Sequence, residues 1–357
     1  MFPRCFANAT AVVAAALLAG CGSWGNKTSQ IPSVANAQSA FAGVSSSIQA
    51  LKFRVPDRII VIVMENHSFD DIVGATNRSG YRLLTPFLTQ AALNNSLATL
   101  AFGVSHPSLP NYLSEIAGDS FGIHDDNGSC YARPEPRGCH SFNKKNLVDS
   151  LEAAGISWAS YNESMPRDGF LGQVWPPKGD GLYRQKHNPF AYFKDIATDP
   201  KRLAHIKTFV DLKKTLNNKL LPRFSFIVPN ECHDMHGSVP FCPGPNFALI
   251  QAGDAAVQKI VNEIIGSGSF TARSLMFILW DEGGNSNLGC CDSPPFLGGG
   301  HIPLILIAGV PSAKVSAQPY NHYSVLSTIE TLWNLPKLGY TADTVNVKPM
   351  LDLLPSK

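Results

Sequence analysis

The run Ile59-Ile60-Val61-Ile62-Val63-Met64, followed at once by Glu65 and Asn66, decides the fold prediction. An apolar run of this length, mostly β-branched and without alternating polar residues, is typical of a parallel strand that is buried on both faces. Ligands of α/β sheets bind at the carboxyl ends of such strands. We therefore expect Glu65 and Asn66 to leave the sheet at a functional edge.

Outward from this run, strand-like and helix-like apolar patterns alternate along the chain. Alternating strands and helices predict an α/β fold with a doubly wound, mostly parallel sheet and helices on both faces. A segment at residues 165–189, rich in Pro, Gly and aromatic residues, is predicted to be a loop facing the substrate. The predicted strands are 97–102, 156–161, 223–228, 274–280 and 302–308, and the predicted helices are 85–95, 146–154, 254–265 and 325–333.

The N-terminus carries an export pattern. Arg4 precedes an apolar stretch that ends in Leu18-Ala19-Gly20-Cys21, as in a bacterial lipoprotein signal. We expect cleavage after residue 20 and a lipid on Cys21; an ordinary signal peptide with an incidental cysteine is the alternative. Gly22 favours the outer membrane, so we expect an exported protein of the bacterial cell envelope that faces the periplasm or the surface and reaches the membrane through this anchor. Residues 21–50 predict a flexible tether, and residues 51–357 a single domain.

Composition excludes one class of partner and indicates the redox environment. The net charge is +2 and 16% of the residues are charged, so we expect no nucleic-acid partner. An exported domain favours disulfides over zinc ligation for the cysteines that remain after residue 21. Cys130 with Cys139 and Cys232 with Cys242 are short-range candidates, while Cys290 and Cys291 have no assigned partners. The connectivity stays open at this point.

Polar clusters follow three of the predicted strands, and such strand ends meet at one edge of a parallel sheet. Carboxylates, an amide oxygen and imidazoles at that edge suit a divalent or trivalent metal ion with mixed oxygen and nitrogen ligation. Taken singly each cluster is weak, since acidic residues after strands also cap helices. The clusters are Glu65 and Asn66, then Asn230, Asp234 and His236, and then Asp281 and Glu282.

A fourth element is the sequence SHPSLPNY at residues 105–112, which leads into a helical pattern. Ser108 is either an ordinary N-cap or a nucleophile, because a hydroxyl at a helix N-terminus beside a cation is activated towards phosphorus. Asn111 is placed to donate its amide to a phosphate oxygen. This loop therefore predicts chemistry on a phosphate ester.

The chain resembles the bacterial phosphoesterases that include secreted acid phosphatases and phospholipases C, within the alkaline phosphatase superfamily. The resemblance covers about residues 55 to 340. It implies a catalytic domain in which Ser108 is the nucleophile, Asn111 holds the phosphate, and the metal ligands are Glu65, Asn66, Ser108, Asp281 and Glu282. The motifs that carry it are ENHSFDD at 65–71, HPSLPNYLSEIAGDSFG at 106–122, FIVPNECHDMHG at 226–237, WDEGG at 280–284 and HYSVLSTIETLWNLPKLGY at 322–340.

The same resemblance implies a second set of site residues. Asn230 and Asp234 match positions that hold another ion in two-metal relatives, and His301 is a further candidate for an ion or a phosphate contact. His236 is expected either to deliver a proton to the leaving group or to contact the phosphate. Because the motif here reads ECHDMHG, with Gly237 where relatives often have aspartate, one metal and two metals both remain open.

Three other histidines have competing interpretations. His67 is expected to organise the turn that presents Glu65 and Asn66. His106 either orients the nucleophile loop or is structural, and His322 either packs in the core or contacts substrate.

We therefore expect a metal-dependent acid phosphatase that hydrolyses phosphate monoesters through a phosphoserine. Its substrate would be a small phosphate monoester or one derived from a phospholipid. The first alternative is a phospholipase C-type phosphodiesterase, which the HPSLPN form and the short C-terminus disfavour. The second is a non-catalytic envelope lipoprotein, which is disfavoured because Ser108 occurs together with all four main ligand candidates.

Overall fold

The strand predicted at residues 59–64 lies inside a sheet in the computed structural model, which describes residues 55–73, 84–284, 286–291 and 298–356. This strand, β1, runs over Arg58–Met64, and every residue after Arg58 is buried. Since successive side chains of a strand point to opposite faces, both faces of the sheet are covered at β1. The predicted signal peptide, Cys21 and the tether lie outside the described residues.

Ten further strands follow β1 in the described part of the chain. They are β2 (Ser96–Phe102), β3 (Trp158–Asn162), β4 (Val174–Trp175), β5 (Tyr183–Arg184), β6 (Ile206–Thr208), β7 (Phe224–Val228), β8 (Ser274–Trp280), β9 (His301–Ala308), β10 (Val315–Ser316) and β11 (Tyr320–Asn321).

The main sheet is mixed but mostly parallel. Its order is β10-β2-β9-β8-β1-β7-β3-β6, with β11 also paired to β2, which makes nine strands within the described residues. The strand β1 pairs in parallel with both β7 and β8, and β3 continues the parallel set to β6. The strand β9 runs antiparallel to its two neighbours, and β4 and β5 form a separate antiparallel hairpin. The predicted α/β fold with a mostly parallel sheet is confirmed.

The α-helices of the described residues connect these strands. They are α1 (Phe69–Ile72), α2 (Pro86–Asn94), α3 (Ser108–Ala117), α4 (Leu147–Ala153), α5 (Lys194–Ala197), α6 (Pro200–Leu203), α7 (Phe209–Asn217), α8 (Asn246–Gly266) and α9 (His322–Trp333).

Two features of this arrangement differ from the sequence prediction. The helix α8 begins at Asn246 rather than at residue 254. Its first turn carries Phe247, Ala248 and Leu249 in succession, which is a run without helical spacing, and none of the three is fully buried. Neither β6 nor α7 was predicted, since β6 has three residues and α7 buries two leucines, Leu212 and Leu216. Tertiary contacts rather than local patterns place these elements.

The carboxyl ends of β1, β7 and β8 lie side by side. Met64 is in register with Trp280, and the Met64 carbonyl accepts a 2.9 Å hydrogen bond from the amide of Asp281. The amide of Glu65 donates to the carbonyl of Asp234, also at 2.9 Å. The three predicted polar clusters therefore begin at the same edge of the sheet, as expected for parallel strands.

Disulfides join Cys130 to Cys139 and Cys232 to Cys242, which were the two short-range candidates. The neighbours Cys290 and Cys291 are joined to each other. Among the described residues, no helix combines the length and the apolar character needed to span a bilayer.

Candidate active site

Backbone hydrogen bonds at the ends of β1 and β8 lock two of the predicted clusters together. The amide of Asn66 donates to Oδ1 of Asp281 at 3.1 Å, and Asn66 adopts a left-handed conformation with φ of 57°. Asparagine tolerates this region better than most residues, so the turn can carry a polar side chain at this point. His67 supports the turn, with Nδ1 at 2.9 Å from the Glu65 carbonyl and Nε2 at 3.0 Å from Oδ1 of Asn246.

Glu65 is the most heavily contacted carboxylate of the site and is fully buried. The hydroxyls of Tyr112 and Ser108 donate to its two oxygens at 2.8 and 3.1 Å. Nε2 of His187 lies 2.9 Å from Oε1. Burial raises the pKa of Glu65, but the charges of His187 and Lys186 outweigh it and hold this pKa well below its usual range. Glu65 is therefore an anion at the base of the site.

Ser108 is the first residue of α3 and is 1% exposed. Its Oγ donates to Glu65 and accepts a 3.3 Å hydrogen bond from the ammonium of Lys186. The same ammonium donates to Oδ2 of Asp126 at 2.9 Å, while Oδ1 of Asp126 accepts from the amide of Leu109 at 3.0 Å. The hydroxyl predicted to be the nucleophile thus lies between a carboxylate and a cation.

Asp281 and Glu282 add negative charge to this site. Both are buried, and Oδ2 of Asp281 has no hydrogen-bond partner among the described residues. Burial, together with the charges of Glu65 and Glu282, raises the pKa of Asp281 well above its usual range. Buried carboxylates that raise one another's pKa in this way are stabilised by a bound cation.

His106 links the nucleophile loop to Glu282. Its Nδ1 lies 2.7 Å from Oε2 of Glu282, and its Nε2 lies 2.9 Å from the carbonyl of Ser286. The hydrogen bond with Glu282 raises the pKa of His106. His106 therefore orients a predicted metal ligand.

A second buried group lies on the other side of Glu65 and consists of His187, Glu231 and Asp234. Nδ1 of His187 is 3.1 Å from Oε1 of Glu231 and 3.7 Å from Oδ2 of Asp234. One ligand atom from each residue lies within 4.8 Å of the other two, which is close enough to share a metal ion. His236 borders this group, with Nδ1 at 3.0 Å from Oε2 of Glu231 and Nε2 at 3.5 Å from Nζ of Lys186.

The environment of His236 favours its protonated form. Burial alone would lower its pKa, but the contact with Glu231 outweighs burial and raises the pKa to about 10. Two cationic groups, His236 and Lys186, therefore face the space next to Ser108.

The profile of one protein family, described as the phosphoesterase family, matches residues 80–336. The chain belongs to the phosphoesterase family. Membership confirms the resemblance found in the sequence motifs and makes the chain a hydrolase of phosphoric ester bonds.

Two curated relatives and one solved structure are similar to this family member. A phosphate-repressible acid phosphatase of Penicillium chrysogenum is 30% identical over 82% of the chain, which spans 62% of the fungal protein. A phosphatidylinositol-3-phosphatase of Mycobacterium tuberculosis is 28% identical over 96% of the chain and 91% of its own length. A Vibrio parahaemolyticus protein of the alkaline phosphatase superfamily aligns with a TM-score of 0.50 at 12% identity, over 85% of this chain and 71% of that one, and is similar in fold.

Asn111 departs from its expected role. It is fully buried, and its Oδ1 accepts from the amides of Val104 and Ser105 at 2.9 and 3.1 Å. Its Nδ2 donates to the carbonyls of Ser105 and Pro107 at 2.9 and 3.2 Å. Since both amide hydrogens are bonded to backbone, Asn111 fastens the loop before Ser108 and does not present a donor to phosphate.

Asn230 lies outside the buried groups just described. Its Oδ1 accepts from the amides of Cys232 and His233, and its Nδ2 donates to Oγ of Ser164. These bonds stabilise the turn after β7. They occupy both polar groups of the side chain that was expected to bind a second ion.

His301 also has its contacts elsewhere. Its Nε2 hydrogen-bonds to the carbonyl of Thr99 at 2.9 Å, and its ring stacks on Phe69 with centroids 4.7 Å apart. His301 therefore packs between α1 and the sheet rather than against phosphate.

His322 packs in the core. It is fully buried, its Nε2 is 3.0 Å from the carbonyl of Trp280, and burial lowers its pKa to about 3. This contact supports the backbone next to Asp281 and favours the packing role over contact with substrate.

Four residues of the site were not expected from the sequence: Asp126, Lys186, His187 and Glu231. Lys186 and His187 lie in the Pro-rich and aromatic segment that was predicted to face the substrate, on a 3-10 helix over Gln185–His187. The segment also contains Arg167, Asp168, Lys178, Asp180 and Arg184, so charge alone did not single out Lys186. Glu231 lies between Asn230 and Asp234 in the polar cluster after β7 and could have been included there, whereas Asp126 had no distinguishing pattern.

Proposed function

We propose that the chain is a metal-dependent acid phosphatase that hydrolyses phosphate monoesters through a phosphoserine at Ser108. One observation carries the proposal: the Ser108 hydroxyl is buried at the start of a helix, 3.1 Å from the Glu65 carboxylate and 3.3 Å from the Lys186 ammonium. A hydroxyl held between an anion and a cation at a helix N-terminus suits attack on a phosphoryl group.

The donor set fits a hard metal ion. Glu65, Asn66, Asp281 and Glu282 would hold it, because they offer oxygen ligands and Oδ2 of Asp281 has no partner among the described side chains and backbone. When bound, a divalent or trivalent ion supplies Lewis-acid chemistry that lowers the cost of serine ionisation and of negative charge on phosphorus. His187, Glu231 and Asp234 are the candidates for a second ion.

The residues of the chain carry the two half-reactions. Oγ of Ser108 forms a bond to phosphorus while the bond from phosphorus to the alcohol oxygen breaks, and the proton lost by the serine is balanced by the proton that the alcohol gains. Water then forms a new bond to phosphorus, the bond from phosphorus to Oγ breaks, and Ser108 regains its proton. His236 is placed to contact the phosphate or to supply the proton to the alcohol.

Hydrolysis of p-nitrophenyl phosphate, compared with its bis-ester, tests the function. We expect preference for the monoester, loss of activity with chelator and recovery on adding metal. We expect Ser108→Ala to lose at least about 1,000-fold in kcat, while Ser141→Ala, at an exposed serine, keeps wild-type activity. Preference for the bis-ester would instead favour the phosphodiesterase, strong activity in Ser108→Ala would exclude this nucleophile, and an inert metal-loaded protein would favour a binding role.

A phosphoinositide is a candidate substrate. The Mycobacterium tuberculosis relative is named a phosphatidylinositol-3-phosphatase and matches nearly the whole chain, which supports a lipid phosphomonoester beside small soluble ones. Phosphate release from phosphatidylinositol 3-phosphate and from glycerol phosphate, measured with one metal-loaded preparation, separates the two substrate classes.

We also propose export and lipid anchoring at Cys21, with residues 51–357 acting as a single catalytic domain. The lipoprotein pattern at residues 4–21 supports this proposal. Labelled palmitate should be incorporated into the wild type and not into Cys21→Ala, and residues 51–357 alone should be soluble and active. Labelling of the alanine variant would contradict anchoring at Cys21.

A further inference from the structure

Lys186 is buried deeply for a lysine, with 7% of its surface exposed. Lysine is seldom buried unless its charge is paired, because removing an ammonium from water is costly. Asp126 supplies the pair at 2.9 Å, but the Asp126 side chain is 28% exposed. The ion pair with Asp126 therefore does not by itself explain why the ammonium lies next to the buried Oγ of Ser108.

The ammonium points into the site beyond its carboxylate partner. Besides Asp126, it contacts Oγ of Ser108 at 3.3 Å and Nε2 of His236 at 3.5 Å. Neither contact is with an anion, although the charges of Glu65 and Glu231 also act on the ammonium. The arrangement places a cation next to a hydroxyl, which is useful where an anion binds or forms.

Neighbours on both sides of Lys186 fix its position. The Gln185 side chain accepts from the amide of Ser129 at 2.8 Å and donates to the carbonyl of Leu171 at 2.6 Å. His187 is wedged between Glu65 and Glu231. The ammonium is therefore held at Ser108 before any substrate binds.

We propose that Lys186 is a catalytic residue whose ammonium supplies a fixed positive charge at Oγ of Ser108. This inference rests on the proposed phosphatase function. While the bond from Oγ to phosphorus forms and the bond to the leaving alcohol breaks, the ammonium keeps its proton and stabilises the developing negative charge on Oγ and on the phosphoryl oxygens. Asp126 is a positioning residue, since it binds Lys186 through one oxygen and the amide of Leu109 through the other.

Replacing the charge while keeping the length of the side chain tests this role. Lys186→Met removes the ammonium, Lys186→Arg keeps a cation, and Lys178→Met is a matched control at an exposed lysine of the neighbouring segment. If the methionine variant does not fold, the same measurements are made on Lys186→Gln, whose amide is a hydrogen-bond donor without charge. Thermal unfolding and metal content establish that each variant is folded and loaded.

Steady-state and single-turnover rates are measured with p-nitrophenyl phosphate and with phenyl phosphate, whose leaving group is poorer. For Lys186→Met we expect kcat to fall about 100- to 1,000-fold, by the same factor for both substrates, together with slower formation of the phosphoenzyme. Lys186→Arg should retain at least about ten times the activity of the methionine variant, and Lys178→Met should match the wild type.

The outcomes separate this inference from the proposed function. A loss of less than about tenfold in a folded, metal-loaded Lys186→Met would overturn it, since removing one donor to a developing oxyanion costs more than that. A loss that grows for phenyl phosphate would also overturn it, because the lysine would then act on the leaving group. If the wild type hydrolyses no phosphomonoester, the proposed function fails. If the wild type is active and Lys186→Met is equally active, only the role of the lysine is refuted.

Discussion

Substitution of Asn111 tests whether this residue binds phosphate or fastens the loop before the nucleophile. Asn111→Ala removes four hydrogen bonds at once, two from the amides of Val104 and Ser105 and two to the carbonyls of Ser105 and Pro107. All four backbone groups belong to the segment that immediately precedes Ser108. We expect this segment to loosen and the serine to lose its alignment.

The magnitude follows from the number of bonds. A hydrogen bond within a protein contributes about 1 kcal/mol net, and a buried group left without a partner costs about 1 to 3 kcal/mol. With water able to reach some of the four groups, Asn111→Ala should lower the free energy of unfolding by about 3 to 5 kcal/mol. Because a displacement of about 1 Å at a reacting group can cost a factor of 100, kcat should fall at least that far.

Denaturant unfolding and steady-state kinetics are measured on Asn111→Ala and on Asn94→Ala, a matched control at an exposed asparagine of α2. We expect the control to stay within about 0.5 kcal/mol of the wild type. The inhibition constant of orthophosphate decides between the two roles. If Asn111→Ala keeps wild-type stability and loses mainly affinity for phosphate, the fastening role is refuted and the phosphate-binding role is restored.

Three further predictions follow from the described contacts. His322 is neutral in the folded chain until about pH 3, whereas in the unfolded chain it takes up a proton near pH 6.5, so the free energy of unfolding should fall as pH drops through this window. His322→Gln should reduce that loss by about 2 to 3 kcal/mol at pH 4.5. An identical pH profile of stability in both proteins would contradict this prediction. Chelation should lower the melting temperature, because buried Asp281 and its carboxylate neighbours lose their counter-charge; a constant melting temperature after the metal content has fallen would argue against the proposed ligands. A Cβ on Gly103 would lie 2.8 and 2.9 Å from the carbonyl oxygens of Gly299 and Asp281, so Gly103→Ala should displace Asp281 and lower kcat/KM at least about tenfold, while Gly266→Ala, with open space around it, should leave kcat/KM unchanged.

Much of the fold could be predicted because local pattern and burial agree. The run at residues 59–64 is apolar throughout, and β1 is buried on both faces between parallel neighbours. The strands that end at Val228 and Trp280 are equally apolar and were placed correctly. The start of α8 was misplaced because residues 247–250 form a consecutive apolar run, which lacks the helical spacing on which such predictions depend.

Site residues that directly follow strand ends were predicted correctly. The contacts of other residues were missed, because they depend on the direction in which each side chain points. Glu65 and Asp281 are close together because the adjacent parallel strands β1 and β8 end together, and Ser108 at the start of α3 reaches Glu65 through a side-chain hydrogen bond. Asn111 and His301 were assigned to phosphate or metal, yet backbone groups bind both ends of the Asn111 amide and Nε2 of His301. Sequence gives the position of a polar side chain along an element, but not the partners that compete for it.

The sequence by itself determined the α/β architecture, the edge of the sheet where chemistry is expected, and the family, because apolar periodicity and motif order are local properties. Only the tertiary structure brought Lys186 to within 3.3 Å of Ser108, a residue 78 positions away, and placed His187 between Glu65 and Glu231. The physical reason is that the charge balance of a buried site depends on which distant side chains share its low-dielectric space. The strand end at Glu65 could be found from the residues beside it, but the contacts of Lys186 and His187 with this site could not.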